Sequence, residues 1–336
     1  MTVSLAGVTR RTSVGLIGAR GYVGRELLAL LERDPTLDVA FVSSKGGAGR
    51  TVGEAIGVAG RFASLVLEDL DPTEVRRRCV TGNVDALVLG LANGQAAPFV
   101  AGLPPHTVVV DLSADHRFDD RWVYGLVERD RAQLRGAPRI ANPGCYATAA
   151  QLALWPFVDV VERAHVFGIS GWSGAGTTPS PKNDTSLLAD NLLPYDLVGH
   201  TQEREMRRHA GIDVRFLPHV APFFRGIMVT VAMDLRTPLT RADADARLRE
   251  RYADEPLVSV VDGELPPLVA QAREHHGCIL GGVHASPDER RVVVVACIDN
   301  LLKGAATQAL QNLHLALGID ERAGIPSLVV GAEDDR

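Results

Sequence analysis

Ser13-Val14-Gly15-Leu16-Ile17-Gly18 carries no charge along its length, as a strand buried on both faces does, and Tyr22-Val23-Gly24-Arg25-Glu26-Leu27-Leu28-Ala29-Leu30-Leu31 follows with its apolar residues at helical spacing. Short apolar runs at 39–43, 86–90 and 107–111, with a helix-like piece at 95–100, make the first 145 residues alternate strand and helix. That alternation predicts a parallel sheet of the Rossmann type. Beyond Pro156 the strand-like runs are longer, at 164–169, 214–220, 226–235 and 292–298, with helices expected at 186–191 and 241–252. This half reads as an α+β unit with a mainly antiparallel sheet. The last strong helix, 301–317, has no sheet pattern after it and is expected to return to the first unit. The expected division is 1–144 completed by 299–336, and 145–298.

Composition adds limits. With 336 residues and 46% hydrophobic positions the chain can bury two cores, and 35 Lys and Arg against 41 Asp and Glu give no reason to sit on nucleic acid or an anionic membrane. Apolar runs fall short of a membrane span, and Met1 to Arg10 lacks the pattern of a signal peptide, so a cytoplasmic protein is expected. The four cysteines, Cys79, Cys145, Cys278 and Cys297, form no CxxC clip, and no metal site is expected.

In the segment from Gly18 to Gly24, glycines recur every third residue between the first strand and first helix. Such a turn lets backbone N–H groups at Gly18, Arg20, Gly21, Tyr22 and Val23 approach a pyrophosphate at the helix N-terminus. The second strand ends in Ser43-Ser44-Lys45 where an NAD-binding chain usually places a carboxylate for the ribose hydroxyl, and two hydroxyls with a cation suit the 2′-phosphate of NADP. Cys145 follows Asn142-Pro143-Gly144, a turn that presents its side chain, and precedes an amphipathic run. A thiol at a helix start is expected to have a lowered pKa. A dinucleotide site with a presented thiol points to an aldehyde or acyl-phosphate oxidoreductase.

Asn142-Pro143-Gly144-Cys145-Tyr146-Ala147-Thr148, closed by Pro156, resembles the active-site signature of the N-acetyl-γ-glutamyl-phosphate reductases of arginine biosynthesis. Gly18-Ala19-Arg20-Gly21-Tyr22, Ser113-Ala114-Asp115-His116-Arg117, Ser170-Gly171-Trp172-Ser173-Gly174-Ala175-Gly176, Pro218-His219-Val220-Ala221-Pro222 and Asp299-Asn300-Leu301-Leu302-Lys303-Gly304 are similar to that family in the same order. The resemblance implies a second domain like that of glyceraldehyde-3-phosphate dehydrogenase, a homo-oligomer (dimer or tetramer), and NADPH-dependent reductive dephosphorylation of an acyl phosphate through a thioester on Cys145. It places Ser173, Gly174, Ala175 and Gly176 against the cofactor, and Asn300 on the nicotinamide carboxamide. Arg117 and Arg225 become candidates for the substrate phosphate, with Asn142, Gln202 and His219 also on the substrate side.

The family usually carries two histidines one residue apart where this chain has His200-Thr201-Gln202. The acid–base role then falls to His200, with His219 or water as alternatives. Other readings are a carrier-linked aminoadipyl-phosphate reductase of lysine biosynthesis, an aspartate-semialdehyde dehydrogenase, and a non-catalytic NADP-binding sensor.

Overall fold

The computed structural model of the chain describes residues 11–262 and 265–326. Met1 to Arg10 and the end of the expected 299–336 piece lie outside them. In chain order the first half contains β1 (Thr12–Ile17), α1 (Tyr22–Arg33), β2 (Leu37–Ser43), α2 (Val52–Ile56), β3 (Leu67–Glu68), α3 (Pro72–Val80), β4 (Ala86–Leu89), α4 (Ala97–Val100), β5 (Val108–Asp111), β6 (Val123–Tyr124), α5 (Val127–Leu134) and β7 (Arg139–Ala141). These strands form one sheet in the order β3-β2-β1-β4-β5-β7-β6, every pair parallel. β4 and β5 are buried at every position, as a sheet covered on both faces requires. The expected helix at 95–100 shrinks to the single turn of α4.

The second half contains α6 (Cys145–Leu154), β8 (Val161–Gly171), α7 (Thr185–Leu188), β9 (Leu193–Pro194), α8 (Thr201–Ala210), β10 (Asp213–Ala221), β11 (Ile227–Leu235), α9 (Arg241–Tyr252), β12 (Val258–Val260), α10 (Val269–Ala272), β13 (Cys278–Ala285) and β14 (Arg291–Ile298). Its sheet runs β12-β13-β14-β11-β8-β10-β9. The sheet is mixed: β8 pairs parallel with β10 and β12 with β13, while the other pairs are antiparallel. The parallel β8–β10 pair arises because α7, β9 and α8 intervene, giving the long crossover that a parallel return needs.

One face of this sheet packs on α6, whose residues from Tyr146 to Leu154 are all buried. The other face leaves Phe167 and Leu217 about two-fifths exposed. After β14 a π-helical turn, Leu302–Ala306, leads into α11 (Thr307–Leu317). Leu310 and Leu313 of α11 join Val14, Val88 and Val110 in the core of the first sheet. The apolar period at 301–317 shows a single helix; the widened first turn sits where Gly304 meets Cys145, and a Cβ there would lie 2.8 Å from the cysteine's own Cβ. Among the described residues no helix is long and apolar enough to cross a membrane.

Candidate active site

Cys145 is the first residue of α6, directly after the turn that leaves β7. It lines a cavity of about 250 Å³ with Asn93, Ser170, Gly174, Lys182, Tyr195, His200 and Gln202, between the two sheets. It is half-buried, whereas Cys79, Cys278 and Cys297 are buried. Burial pushes the Cys145 thiol up from its ordinary value, and the Tyr146 N–H, the Arg117 charge and a hydrogen bond from Gln202 pull it partly back. The expected lowering at a helix start is therefore outweighed by desolvation.

The turn beneath the thiol is held by two groups that pattern reading missed, Glu205 and Tyr124, together with the candidates Arg117 and Asn142. Glu205 of α8 is fully buried, and its Oε1 accepts from the Gly144 N–H at 2.8 Å and the Tyr124 hydroxyl at 2.8 Å. Its Oε2 accepts from Arg117 Nη1 at 3.0 Å. Arg117 also donates from Nε to the Asn142 carbonyl and from Nη2 to the Leu112 carbonyl, each at 2.8 Å. Its guanidinium thus ties the 112–117 loop to the nucleophile turn. That loop is shaped in turn by buried Asp111, which accepts from the Ser113 N–H and hydroxyl and from His116 Nδ1. Asn142 Oδ1 accepts from Asn312 Nδ2 at 3.0 Å, so the turn is also anchored to α11.

Gln202 lines the cavity beside the nucleophile: its Oε1 accepts from the Ala147 N–H at 3.0 Å, in the first turn of α6. Gly144 has to lack a side chain, because a Cβ there would overlap Gln202 Oε1 and lie 2.8 Å from Arg117 Nη1. His200 caps α8, its Nδ1 accepting from the Gln202 N–H at 3.0 Å, and its ring sits edge-on to Tyr195 and Phe216. Burial lowers its pKa. Lys182 and Tyr195, absent from the sequence reading, complete this wall, with Lys182 Nζ 4.7 Å from the Tyr195 ring centroid.

Two sequence candidates lie elsewhere. Arg225 lines a separate cavity of about 800 Å³ and is engaged by Asp299 at 2.6 Å and Glu26 at 3.0 Å. The His219 ring stacks obliquely on Phe167, 4.5 Å away, and its Nδ1 meets the Leu217 carbonyl; only its backbone oxygen turns inward, to the Tyr146 hydroxyl.

On the first sheet, Gly18 has φ +82°, and a Cβ would overlap the Gly90 carbonyl, so both conformation and close approach demand glycine. Gly21 caps α1 without any side-chain acceptor for its first N–H groups. Tyr22 packs edge-on against Trp172 and Phe224, joining this end of α1 to the second domain, while Val23 packs on the first core. Arg20 Nη1 donates to the Gly46 carbonyl at 2.8 Å, bringing its guanidinium to the Ser44-Lys45 loop. Ser43 is buried with its hydroxyl taken by the Leu70 N–H, whereas Ser44 is half-buried and Lys45 exposed. Asn300 Nδ2 donates to Ser173 Oγ and its Oδ1 accepts from the Gly226 N–H, fixing the carboxamide beside Gly174. Gly176 turns away at φ +74°.

A glycine-cradled helix start on a parallel sheet, together with a cysteine at the head of a helix packed on a mixed sheet, defines an oxidoreductase of the semialdehyde dehydrogenase class. The family models described as "Semialdehyde dehydrogenase, NAD binding domain" and "Semialdehyde dehydrogenase, dimerisation domain" match residues 13–137 and 145–300. Within that class the chain belongs to the N-acetyl-gamma-glutamyl-phosphate reductase family. Proteins of that name from Xanthomonas oryzae and Stenotrophomonas maltophilia are each 50% identical to it, over 94% of this chain and 98% of theirs. The Xylella fastidiosa protein is 47% identical over 95% of this chain and 96% of its own. In fold the chain is similar to aspartate semialdehyde dehydrogenase II of Vibrio cholerae, with a TM-score of 0.73 at 20% identity over 92% of this chain and 99% of that one. The Candida albicans aspartate semialdehyde dehydrogenase, solved with NADP, gives 0.70 at 16% identity over 94% and 99%.

Proposed function

We propose that this chain reduces N-acetyl-γ-glutamyl phosphate to N-acetyl-glutamate 5-semialdehyde, using NADPH, through a thioester on Cys145, in the cytoplasm. The observation carrying this reading is the half-buried Cys145 at the head of α6, lining a cavity, in a chain so close to proteins of that name. The Cys145 thiolate attacks the acyl carbon; the C–S bond forms, the C–O bond to phosphate breaks, and phosphate leaves with the electron pair. Lys182 is the cation among the described residues lining the cavity, and with the Arg117 charge behind the turn it offsets the departing phosphate. Purified protein given N-acetyl-glutamate 5-semialdehyde, phosphate and NADP is expected to form NADPH, and to do so far more slowly with aspartate semialdehyde. Absence of phosphate-dependent turnover refutes the assignment.

For the cofactor, the bare N–H groups at the start of α1 and the side-chain-free Gly18 and Gly21 suit a pyrophosphate. Arg20, Ser44 and Lys45 suit a 2′-phosphate; Glu68, at the neighbouring strand end, is neutralised by a bidentate pair with Arg78 at 2.8 and 2.7 Å. Asn300 and the Ser173 to Gly176 turn border the nicotinamide end. When bound, the cofactor supplies the hydride that reduces the acyl carbon. Ser44→Asp is expected to lower the NADP over NAD preference in kcat/KM by about ten-fold or more through charge repulsion and a new partner for the ribose hydroxyl. An unchanged ratio argues against this loop as the 2′-phosphate site.

Homo-oligomerisation fits the match to a dimerisation domain, and the uncovered sheet face bearing Phe167, Leu217 and His219 is the surface proposed for it. Phe167→Glu is expected to shift the protein to a smaller species in sedimentation velocity. An unchanged sedimentation coefficient would place the interface elsewhere.

A further inference from the structure

Gln202 touches the reaction centre through three separate groups. Its backbone N–H donates to His200 Nδ1, its side-chain Oε1 accepts from the Ala147 N–H, and its amide lines the same cavity as Cys145. The two backbone partners settle orientations that side chains alone would leave open. A donor pointed at Nδ1 makes that nitrogen the unprotonated one, so the neutral imidazole carries its hydrogen on Nε2. A donor pointed at Oε1 makes the amide nitrogen, with its two hydrogens, the end left for the sulfur. Neither ring nor amide is free to turn over. Tyr195 and Phe216 flank the imidazole at 5.5 and 5.2 Å, and Gly144 leaves room for the amide only by having no side chain.

We infer that His200 serves Cys145 as a neutral hydrogen-bond donor through Nε2–H, and that the Gln202 carboxamide, not an imidazolium, stabilises the Cys145 thiolate. The inference rests on the acyl-phosphate reading for what His200 donates to, the oxygen of the acyl group attached to Cys145. To act as a base, His200 would have to accept at Nδ1, which the α8 backbone occupies. To act as an acid it would have to be imidazolium, which loses that cap, places a second hydrogen against the Gln202 N–H and is disfavoured by burial. A neutral donor avoids both costs and stabilises an oxyanion without giving up its proton. The thiol proton leaves to water as the thiolate forms, and sulfur regains its electron pair when the C–S bond breaks, so the sulfur needs no proton from the histidine.

The charged and titratable groups facing the pair are Asp196, Lys182, Glu203 and Glu205 around His200, and Arg117, Glu205, Tyr146 and Tyr195 around Cys145. Burial raises the pKa of both tyrosines. These groups move the midpoint of the thiol, but none is an imidazole that adds an inflection between pH 5 and 8.

The test is the rate of Cys145 alkylation by iodoacetamide from pH 5 to 10, read by mass spectrometry on the full chain, with no substrate present. Wild-type protein is expected to show one rise and no plateau at low pH. His200→Gln is expected to leave that midpoint within a few tenths of a unit while kcat for the semialdehyde falls about a hundred-fold, the scale for losing one oxyanion donor. Gln202→Leu should move the midpoint upward, and Gln202→His should create a shoulder near pH 6 to 7 from a thiolate–imidazolium pair. A low-pH plateau in wild type that disappears in His200→Gln overturns the role given to His200, and an unmoved midpoint in Gln202→Leu overturns that of Gln202. Because alkylation needs neither acyl phosphate nor cofactor, these results stand apart from whether the substrate assignment holds.

Discussion

Cys145→Ser is expected to leave less than about one ten-thousandth of wild-type turnover in the phosphate-dependent oxidation of N-acetyl-glutamate 5-semialdehyde, the scale on which loss of a nucleophile acts. Sulfur attacks as thiolate, and the site stabilises it through the Tyr146 N–H, the Gln202 amide and the Arg117 charge. A serine hydroxyl in the same place has a pKa far above neutrality and no group positioned to take its proton. The remaining thiols cannot stand in. Cys79, Cys278 and Cys297 are buried in the two cores, and burial pushes Cys79 up to about 11, Cys297 up to about 12 and Cys278 higher than its ordinary value. Iodoacetamide should accordingly inactivate wild type with label on Cys145 alone. A Cys145→Ser protein with turnover within a hundred-fold of wild type, or labelling that follows activity loss at another cysteine, would remove Cys145 from the chemistry.

What could be seen in the sequence follows from the kind of physics each part uses. Buried strands and the glycine turn announce themselves because both restrict the residue type at nearly every position: β4 is apolar throughout, β5 is apolar up to its terminal Asp111, and Gly18 tolerates no Cβ. Sheet direction was less legible. The pattern of 164–169 and 214–220 says strand but not which way each runs, and the crossover through α7, β9 and α8 makes that pair parallel. Asn142 to Cys145 stood out because a presented thiol after Pro-Gly is a local feature. The groups that hold it are not local. Arg225 and Arg117 look equivalent as cations, yet Asp299 and Glu26 claim the first while the second is bound under the nucleophile. α8 reads as a solvated helix, Thr-Gln-Glu-Arg-Glu-Met-Arg-Arg-His-Ala, with one large apolar residue. No periodicity distinguishes its buried Glu205 from an exposed glutamate, since the partners that justify its burial lie 61 to 88 residues away.

Glu205→Ala is expected to be the most damaging substitution outside the nucleophile itself, lowering stability by about 3 to 5 kcal/mol. The carboxylate is fully buried and accepts three hydrogen bonds, from Gly144, Tyr124 and Arg117. Truncation leaves the Arg117 guanidinium, itself only 9% exposed, without its counter-charge, and strands a backbone N–H and a phenol that water reaches poorly. In thermal unfolding this should appear as a fall of about 10 °C. Activity should fall as well, measured well below the new Tm, because the Gly144 N–H no longer fixes the turn that aims Cys145 and Arg117 is free to leave the Asn142 carbonyl. Glu205→Gln separates charge from shape: its oxygen can still accept from Gly144, so the turn stays aimed while the pairing with Arg117 weakens, and most of the activity but less of the stability should survive. A paired change, Glu205→Leu with Arg117→Met, removes both charges and is expected to recover much of the stability lost in Glu205→Ala without recovering turnover. A Glu205→Ala protein melting within 2 °C of wild type would show that the buried carboxylate does not hold the site together.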